Sequence, residues 1–452
     1  MIKQTDVQRL ITKIKAAINT SNTTNTGTKK IHISFHPEEI PFYDWLLYSN
    51  CSQKRYIKSQ SQQSERLTLG SCKQWQFNSQ GYDLAKQTLS PFLEQDFNVY
   101  TAIMFKSLDD NKDDDWENVA EMTFLIPAIE IIKSVDSIIL ICNYSEEIMK
   151  QEQALERYLS NALSIHQHNN NRNVSLRQIQ MEPNYSDWEC NIGQVLNLIN
   201  KSPLQKLILA RKTTFEINNN HAIIQILIES IKNEPQCNIY FQQINNTTAF
   251  LSVTPENLYI KKGKHIYCDA IAGTIAKGSS AIQTEQFAKV LQSSQKNINE
   301  HQYVVDFLSA TLGSLCHTIK ISKEKDVLQL AHLQHMHSVL EGTLKENISD
   351  FDLLKELHPT PATGGFPKKL GLDLIDKYEC FNRGLYTGAL GIMSHNFTEI
   401  FVGIRSCMIK DTKLFVYTGA GIVKDSQALA EWAELDIKME SYLSMTYDLS
   451  FQ

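Results

Sequence analysis

Two lysines, four glutamates and several glycines of this chain have types and spacings suited to acid–base or cation chemistry. Lys206 opens the run KLILAR, and alternation along a strand points it with Ile208 and Ala210. Those apolar neighbours would desolvate its amine, yet such a lysine, taken alone, reads as a strand-edge residue reaching water. Glu256 lies in SVTPENLYI just after the break imposed by Pro255, where a glutamate ordinarily sits at an exposed loop tip. Glu300 interrupts an apolar helical stripe. Glu431, Glu434 and Lys438 recur at intervals of three and four and share one helix face. That pattern suits a plain helical ion pair, or a convergence with Glu300 on a hard divalent ion. Gly273 and Thr274 end AIAGT, where a missing side chain lets backbone approach a ligand or simply makes a turn. Gly419, Ala420 and Gly421 form a candidate anion cradle of N–H groups. His332, His335 and His337 read as core or hydrogen-bonding residues, because positions two apart diverge on a helix.

The elements that must hold these groups follow from periodicity. Branched residues predict strands over 207–215, 249–253, 257–261 and 265–271, with a turn at Lys262-Gly263. A helical stripe predicts one long helix over 284–316. Strands return at 387–393, 401–408 and 414–418, and a helix closes the chain over 426–443. Val7, Leu10, Ile11, Ile14 and Ile18 mark an amphipathic first helix rather than a signal peptide. Hairpins mixed with long helices argue for an α+β fold with a largely antiparallel sheet. The polar runs 19–27 and 165–173 read as connections, and the second separates a divergent region, 1–175, from a motif-dense one, 176–452. The acidic run 109–118 reads as a solvated turn, since it lacks the ligand order of a calcium loop.

Composition narrows the function. The net charge of −6 leaves no basic excess for a nucleic-acid backbone, so an anionic ligand must meet a local cationic site. Nine scattered cysteines without a CxxC pair point to reduced thiols and the cytoplasm. No stretch has the length of a membrane span.

Together the runs KLILAR, TPENLY, IAGT, NEHQYVV, LQHM, LHPTPATGGFP, FNRGLYTGALG, FVGIRS, YTGAGIV and EWAELDIK resemble, in order, the chorismate-utilising enzymes. The resemblance runs from Lys206 to the C-terminus. It implies two stacked, largely antiparallel sheets flanked by helices, with a buried site for chorismate and Mg²⁺ between them. It implies Lys206 as the base that deprotonates water and Glu256 as the acid that protonates a departing hydroxyl. Glu300 and Glu434 match the magnesium ligands, with Glu431 in support. Arg405 and Tyr386 match the residues that hold a substrate carboxylate. Gly273, Thr274, His335, Lys438 and the backbone of Gly419, Ala420 and Gly421 match further substrate contacts. A lysine base must be neutral and a glutamate acid protonated, so burial has to push the two in opposite directions.

Within the family the wording is nearest to isochorismate synthases. Aminodeoxychorismate synthases place a nucleophilic lysine where Ala272 stands. Anthranilate synthases have glutamine where Lys206 stands and take ammonia from a glutaminase partner, which is therefore not expected here. Salicylate synthases share the lysine and remain the alternative. The N-terminal stretch resembles enzymes of menaquinone synthesis, with siderophore synthesis also open. Three positions depart from the family: Thr254 replaces a serine, Asp269 a glutamate, and Asn382 an aspartate whose loss is expected to weaken an ion pair near Tyr386.

Overall fold

The computed structural model describes residues 4–18, 27–40, 42–49, 51–109, 111–113, 115–145, 152–165, 175–218 and 222–443. The expected connections at 19–27 and 165–173 fall almost wholly outside them. The first half contains α1 (Gln4–Ile18), β1 (Thr28–Phe35), α2 (Phe42–Tyr48), β2 (Lys54–Ser59), β3 (Ser64–Phe77), α3 (Tyr82–Glu94), β4 (Val99–Ile103), β5 (Met122–Lys133), β6 (Ile138–Ser145) and α4 (Glu152–Ala162). There follow β7 (Leu176–Glu182), α5 (Tyr185–Lys201), β8 (Lys206–Ile217), α6 (Ala222–Asn233), β9 (Asn238–Gln243), β10 (Thr248–Thr254), β11 (Asn257–Lys262) and β12 (His265–Ala276). The remainder is α7 (Ala281–Ser293), α8 (Gln295–Leu315), β13 (Cys316–Gln329), β14 (Leu333–Leu344), α9 (Asp350–Leu357), β15 (Gly365–Phe366), α10 (Lys368–Tyr378), β16 (Ala389–Met393), β17 (Phe397–Val402), β18 (Ser406–Lys410), β19 (Lys413–Ile422) and α11 (Ala428–Leu443).

Every ladder among the described residues is antiparallel. The pairings trace two layers. One runs β1-β6-β5-β3-β2-β9-β10-β18-β19-β8-β7, the other β3-β5-β4-β16-β17-β11-β12-β14-β13. The long strands β3 and β5 belong to both, so hydrogen bonding is continuous between layers. Alternation assigns the faces. Phe250, Phe415, Tyr417 and Ala210 of the first layer pack with Tyr100, Leu390, Ile392 and Phe401 of the second in one shared core. Their neighbours in sequence point outward, as Leu414 and Val416 do against α1, α4 and α6, or Ile400 and Val402 against α3, α8 and α9. Two stacked sheets flanked by helices is thus the architecture.

Three local expectations change. The single helix over 284–316 is two, because Ser294 leaves helical backbone and caps α8 by accepting from Asn297 N. The strand over 401–408 is broken after Val402, and Arg405 takes a left-handed φ of +47°. The acidic run is no solvated turn: Trp116 is fully buried, and Asp113 and Asp115 grip Lys212, which is itself 3% exposed. Asn382 does not leave its loop loose, as it bonds the backbone of Asp109 and Asp113.

One buried ion pair completes the edge of β8. Between its short ladder with β15 and its ladder with β7, this edge has no strand partner. Glu379 accepts from Ala210 N at 2.8 Å, and Arg383 donates to Ile208 O at 3.0 Å and Thr363 O at 2.7 Å. Arg383 also forks onto Glu379 at 2.8 and 2.5 Å. Removing one member strands the other in the core. Arg383→Met is therefore expected to lose about 3–5 kcal/mol in urea unfolding, and Arg383→Met with Glu379→Leu should lose less than the single change.

Candidate active site

Lys206 begins β8 with Ile208 and Ala210 on its face, and that face is the inner one. Ala210 joins the core between the sheets, whereas Leu207 and Leu209 pack outward under α5, α10 and α11. A cavity opens beside it between the two layers. Ile208, Glu256, Gly273, Thr274, Glu300 and His335 line it. Tyr386, Arg405, Gly419, Gly421, Glu434 and Lys438 close the other side. Eleven of the fourteen residues singled out in the sequence therefore meet at one cavity. Lys206, Ala420 and Glu431 are not in its wall.

Each of those three has a definite place. Lys206 is fully buried just behind the wall, with its Nζ 3.2 Å from Glu300 Oε1, an ion-pair distance lacking hydrogen-bond alignment. The β19 positions in front of it carry no side chain: a Cβ on Gly421 would lie 2.2 Å from Glu300 Oε1 and 3.3 Å from Lys206 Cε. Ala420 faces the outer core, so its side chain is not part of a cradle. The expected nest is instead extended strand, paired with β8. Lys438 reaches Gly419 O, and Ser426 reaches Gly421 O. Since the amide and carbonyl of one residue in an antiparallel strand share an edge, the N–H groups of Gly419 and Gly421 face away from β8. Glu431 pairs with Lys296 at 2.5 Å and is 1% exposed; burial pushes its carboxyl up against the pull of that lysine.

Glu256 follows Pro255 between β10 and β11, yet it is no surface glutamate. It is 2% exposed. Val402 N donates to its carbonyl at 3.1 Å, and its own N–H meets Thr254 Oγ1 at 3.2 Å, so threonine serves at that position. Its Oε1 has no hydrogen-bond partner. Burial, then the nearby Asp269 carboxylate, pushes it up to about 8, against the smaller pull of Lys206. Asp269 is fixed by Asn257 N at 3.0 Å, Asn257 Nδ2 at 2.8 Å and His337 Nε2 at 2.8 Å. The shorter aspartate thus anchors the turn that carries Glu256.

The remaining wall is built of restrained groups. Gly273 forms a bulge in β12 at φ +76°, and a Cβ there would lie 3.1 Å from that of Asn297 on α8. His335 is on β14, not a helix, and contacts Thr274 Oγ1 at 3.1 Å. Burial, helped by Lys438 and Arg405, lowers it to about 3 and keeps it neutral. Glu434 pairs with Lys438 at 2.7 Å, and Arg405 with Glu234 at 2.5 Å. Glu234 escaped the sequence reading, as did Thr418 and Thr363 in the wall. Thr363 and Thr418 stand within the runs LHPTPATGGFP and YTGAGIV; Glu234 carried no signal. Thr418 Oγ1 is buried and has no hydrogen-bond partner.

A lysine, a protonated carboxyl and two more carboxylates around a cavity with cationic donors make a site for general acid–base work on an anion. The sequence profile of the family described as chorismate binding enzyme matches residues 16–446. The chain belongs to the chorismate-binding enzymes. It is similar to the isochorismate synthase MenF of Haemophilus influenzae, 31% identical over 58% of this chain and 60% of that protein. It is also similar to the chloroplastic isochorismate synthase of Catharanthus roseus, 28% identical over 73% of this chain and 59% of that one. The matches thus span about three-fifths of these relatives' length. The solved structure of MenF, the menaquinone-specific isochorismate synthase of Escherichia coli, has the same fold, with a TM-score of 0.85 at 23% identity over 98% of this chain and 100% of that one. All nine cysteines are free, and among the described residues no helix is long and apolar enough to cross a membrane.

The raised Glu256 carboxyl has a measurable consequence for stability. Below its ordinary value of 4.5 the folded and unfolded chains both hold the proton. Between there and about 8 only the folded chain keeps it, so folding weakens as pH rises, and above that range the penalty is constant. Glu256→Gln lacks this penalty. Relative to the parent, it is expected to gain on the order of 4 kcal/mol between pH 4.5 and 8, read as a widening gap in urea midpoint.

Proposed function

We propose that this chorismate-binding enzyme is an isochorismate synthase. Lys206 takes a proton from water as the water oxygen bonds to the chorismate ring. The ring double bonds shift, and the original hydroxyl leaves as water with the proton of Glu256. One water is consumed and one released. The observation that carries this reading is the buried Glu256 carboxyl. It stays protonated at neutral pH with a free oxygen at the same cavity that Lys206 abuts. Ala272, which lines that cavity, offers no nucleophile, which supports water rather than an enzyme group as the attacking species.

Chorismate is a dianion, and Arg405, Lys438, Tyr386 and the amides of Gly419 and Gly421 supply donors for its carboxylates. Glu300 and Glu434 would hold Mg²⁺, with Glu431 tied back by Lys296. Both reach the cavity, and each is balanced by one lysine. Among the described residues no three His, Cys, Asp or Glu side chains gather into a ready-made cage. That suits a cation which takes one or two carboxylates and fills its shell with water and substrate oxygens. Held by those carboxylates, the ion would offset the charge of one substrate carboxylate. We place the enzyme in the cytoplasm, acting without a glutaminase subunit, with residues 176–452 as its catalytic region and 1–175 contributing to the same fold. Menaquinone synthesis is the pathway we assign, supported by the name of the Escherichia coli enzyme with the same fold.

Incubated with chorismate and Mg²⁺, the purified protein should yield isochorismate by chromatography; salicylate with pyruvate, or anthranilate with ammonia, would overturn the assignment. Chelation should abolish turnover and added Mg²⁺ restore it. Lys206→Gln and Glu256→Gln should each lower kcat by about 10²–10⁴-fold. The parent rate should decline above about pH 8, where Glu256 loses its proton.

A further inference from the structure

We infer that the acidic segment between β4 and β5 is a backing plate that sets Tyr386 in the substrate cavity, with Asn382 and Trp116 as its positioning residues. This rests on the cavity being the chorismate site. Tyr386 stacks on Tyr417 with ring centroids 5.4 Å apart and planes 15° apart. Its hydroxyl stands over Gly419, where a Cβ would come within 2.5 Å of it. Behind this pair lies Trp116, whose ring centroid is 6.1 Å from that of Tyr417 and 5.9 Å from that of Phe250. The indole also abuts the backbone of Gly384, two residues before Tyr386. A Cβ on Gly384 would fall 2.0 Å from the ring, and its φ of +54° independently favours glycine. No other residue type lets Trp116 lie this close to the loop.

The plate is bonded to that loop through Asn382. Its Nδ2 donates to the carbonyls of Asp109 at 3.1 Å and Asp113 at 2.9 Å, and its Oδ1 accepts from Asp109 N at 2.9 Å. Its backbone N–H meets the Asp113 carboxylate at 3.2 Å, and its carbonyl accepts from Trp116 Nε1 at 3.1 Å. Only an amide can give and take in this way. An aspartate would aim oxygen at two carbonyl oxygens beside the Asp113 carboxylate. The far side is fixed by Lys212, held by Asp113, by Asp115 at 2.9 Å and by Glu182 at 3.2 Å. Lys212 lies opposite Tyr417 in the β8–β19 ladder, so the ion cluster and the tyrosine stack are locked in one register.

A positioning role predicts a change in substrate affinity rather than in chemistry. Asn382→Asp should raise the KM for chorismate about tenfold, with kcat within about threefold of the parent. Trp116 emission, taken as the difference from Trp116→Phe in each background, should shift to the red as the indole meets water. An unchanged KM, or a fall in kcat at constant KM, would overturn the inference. Should Asn382→Asp fail to fold, Trp116→Phe alone keeps the ring and loses the bond to Asn382; it should raise KM a few-fold at constant kcat, and a parental KM would again refute the role. A parent protein inert toward chorismate would instead count against the functional reading, while the emission shift still reports on the plate.

Discussion

The site depends on strand β19 having no side chains where it faces the charges of its neighbours. Gly419 and Gly421 sit opposite Ala210 and Ile208 in the ladder. One glycine leaves room for the Tyr386 hydroxyl, the other for the Glu300 carboxylate and the stem of Lys206. The register is what makes this work. A slip of one residue would turn Leu207 and Leu209 inward and send Lys206 into the apolar core under α5 and α10. The Arg383–Glu379 pair resists such a slip from the opposite edge, because it bonds to Ile208 and Ala210 and to no other residues of β8. A salt bridge that does not itself line the cavity thereby helps fix which residues face it.

The charges themselves are arranged in pairs. Lys206 meets Glu300, Lys438 meets Glu434, and Lys296 meets Glu431. Buried ion pairs of this kind contribute little net stability, since desolvation offsets most of their attraction. Their value lies in what can exchange. On the proposed reading, a substrate dianion arriving with a divalent cation adds no net charge, so carboxylates and lysines can take new partners without any charge being left alone. Glu256 stands outside this exchange. It has no cationic partner at bonding distance, and it stays neutral because ionisation would place a charge in a dry wall near Asp269. On that reading the proposed base, Lys206, is paired and the proposed acid, Glu256, is not.

Much of this was legible in the chain. The face of Lys206 and the closing helix follow from periods of two and 3.6 residues, whereas the meeting of Glu300 and Glu434 at one site was implied only by the family resemblance. What local pattern could not give was burial created by distant segments. Glu256 looks like a loop tip until Val402, more than a hundred residues on, covers its turn. The acidic run looks solvated until Lys212 supplies its counter-charge. The glycines of β19 look like a nest because a strand edge facing a helix has no sequence signature. Ser294 is the converse case: a serine before a polar turn is an ordinary cap signal, hidden by the apolar stripe that continues past it.

The two halves of the chain bear different kinds of information. From Lys206 onward, the sequence carries the proposed reacting groups in recognisable wording. The first half carries little of that, yet β3 and β5 join the layers, and Trp116 backs the tyrosine wall. Support of this type constrains shape and charge balance, not residue identity, so many sequences can provide it. Divergence is then expected wherever a segment touches the site only through another residue. Asn382 lies on that boundary: it belongs to the motif-bearing half, but its side chain bonds only to the acidic segment. Its departure from aspartate is best understood as the motif half adjusting to its own N-terminal partner, in which carbonyls and carboxylates already crowd the position that a second acid would occupy.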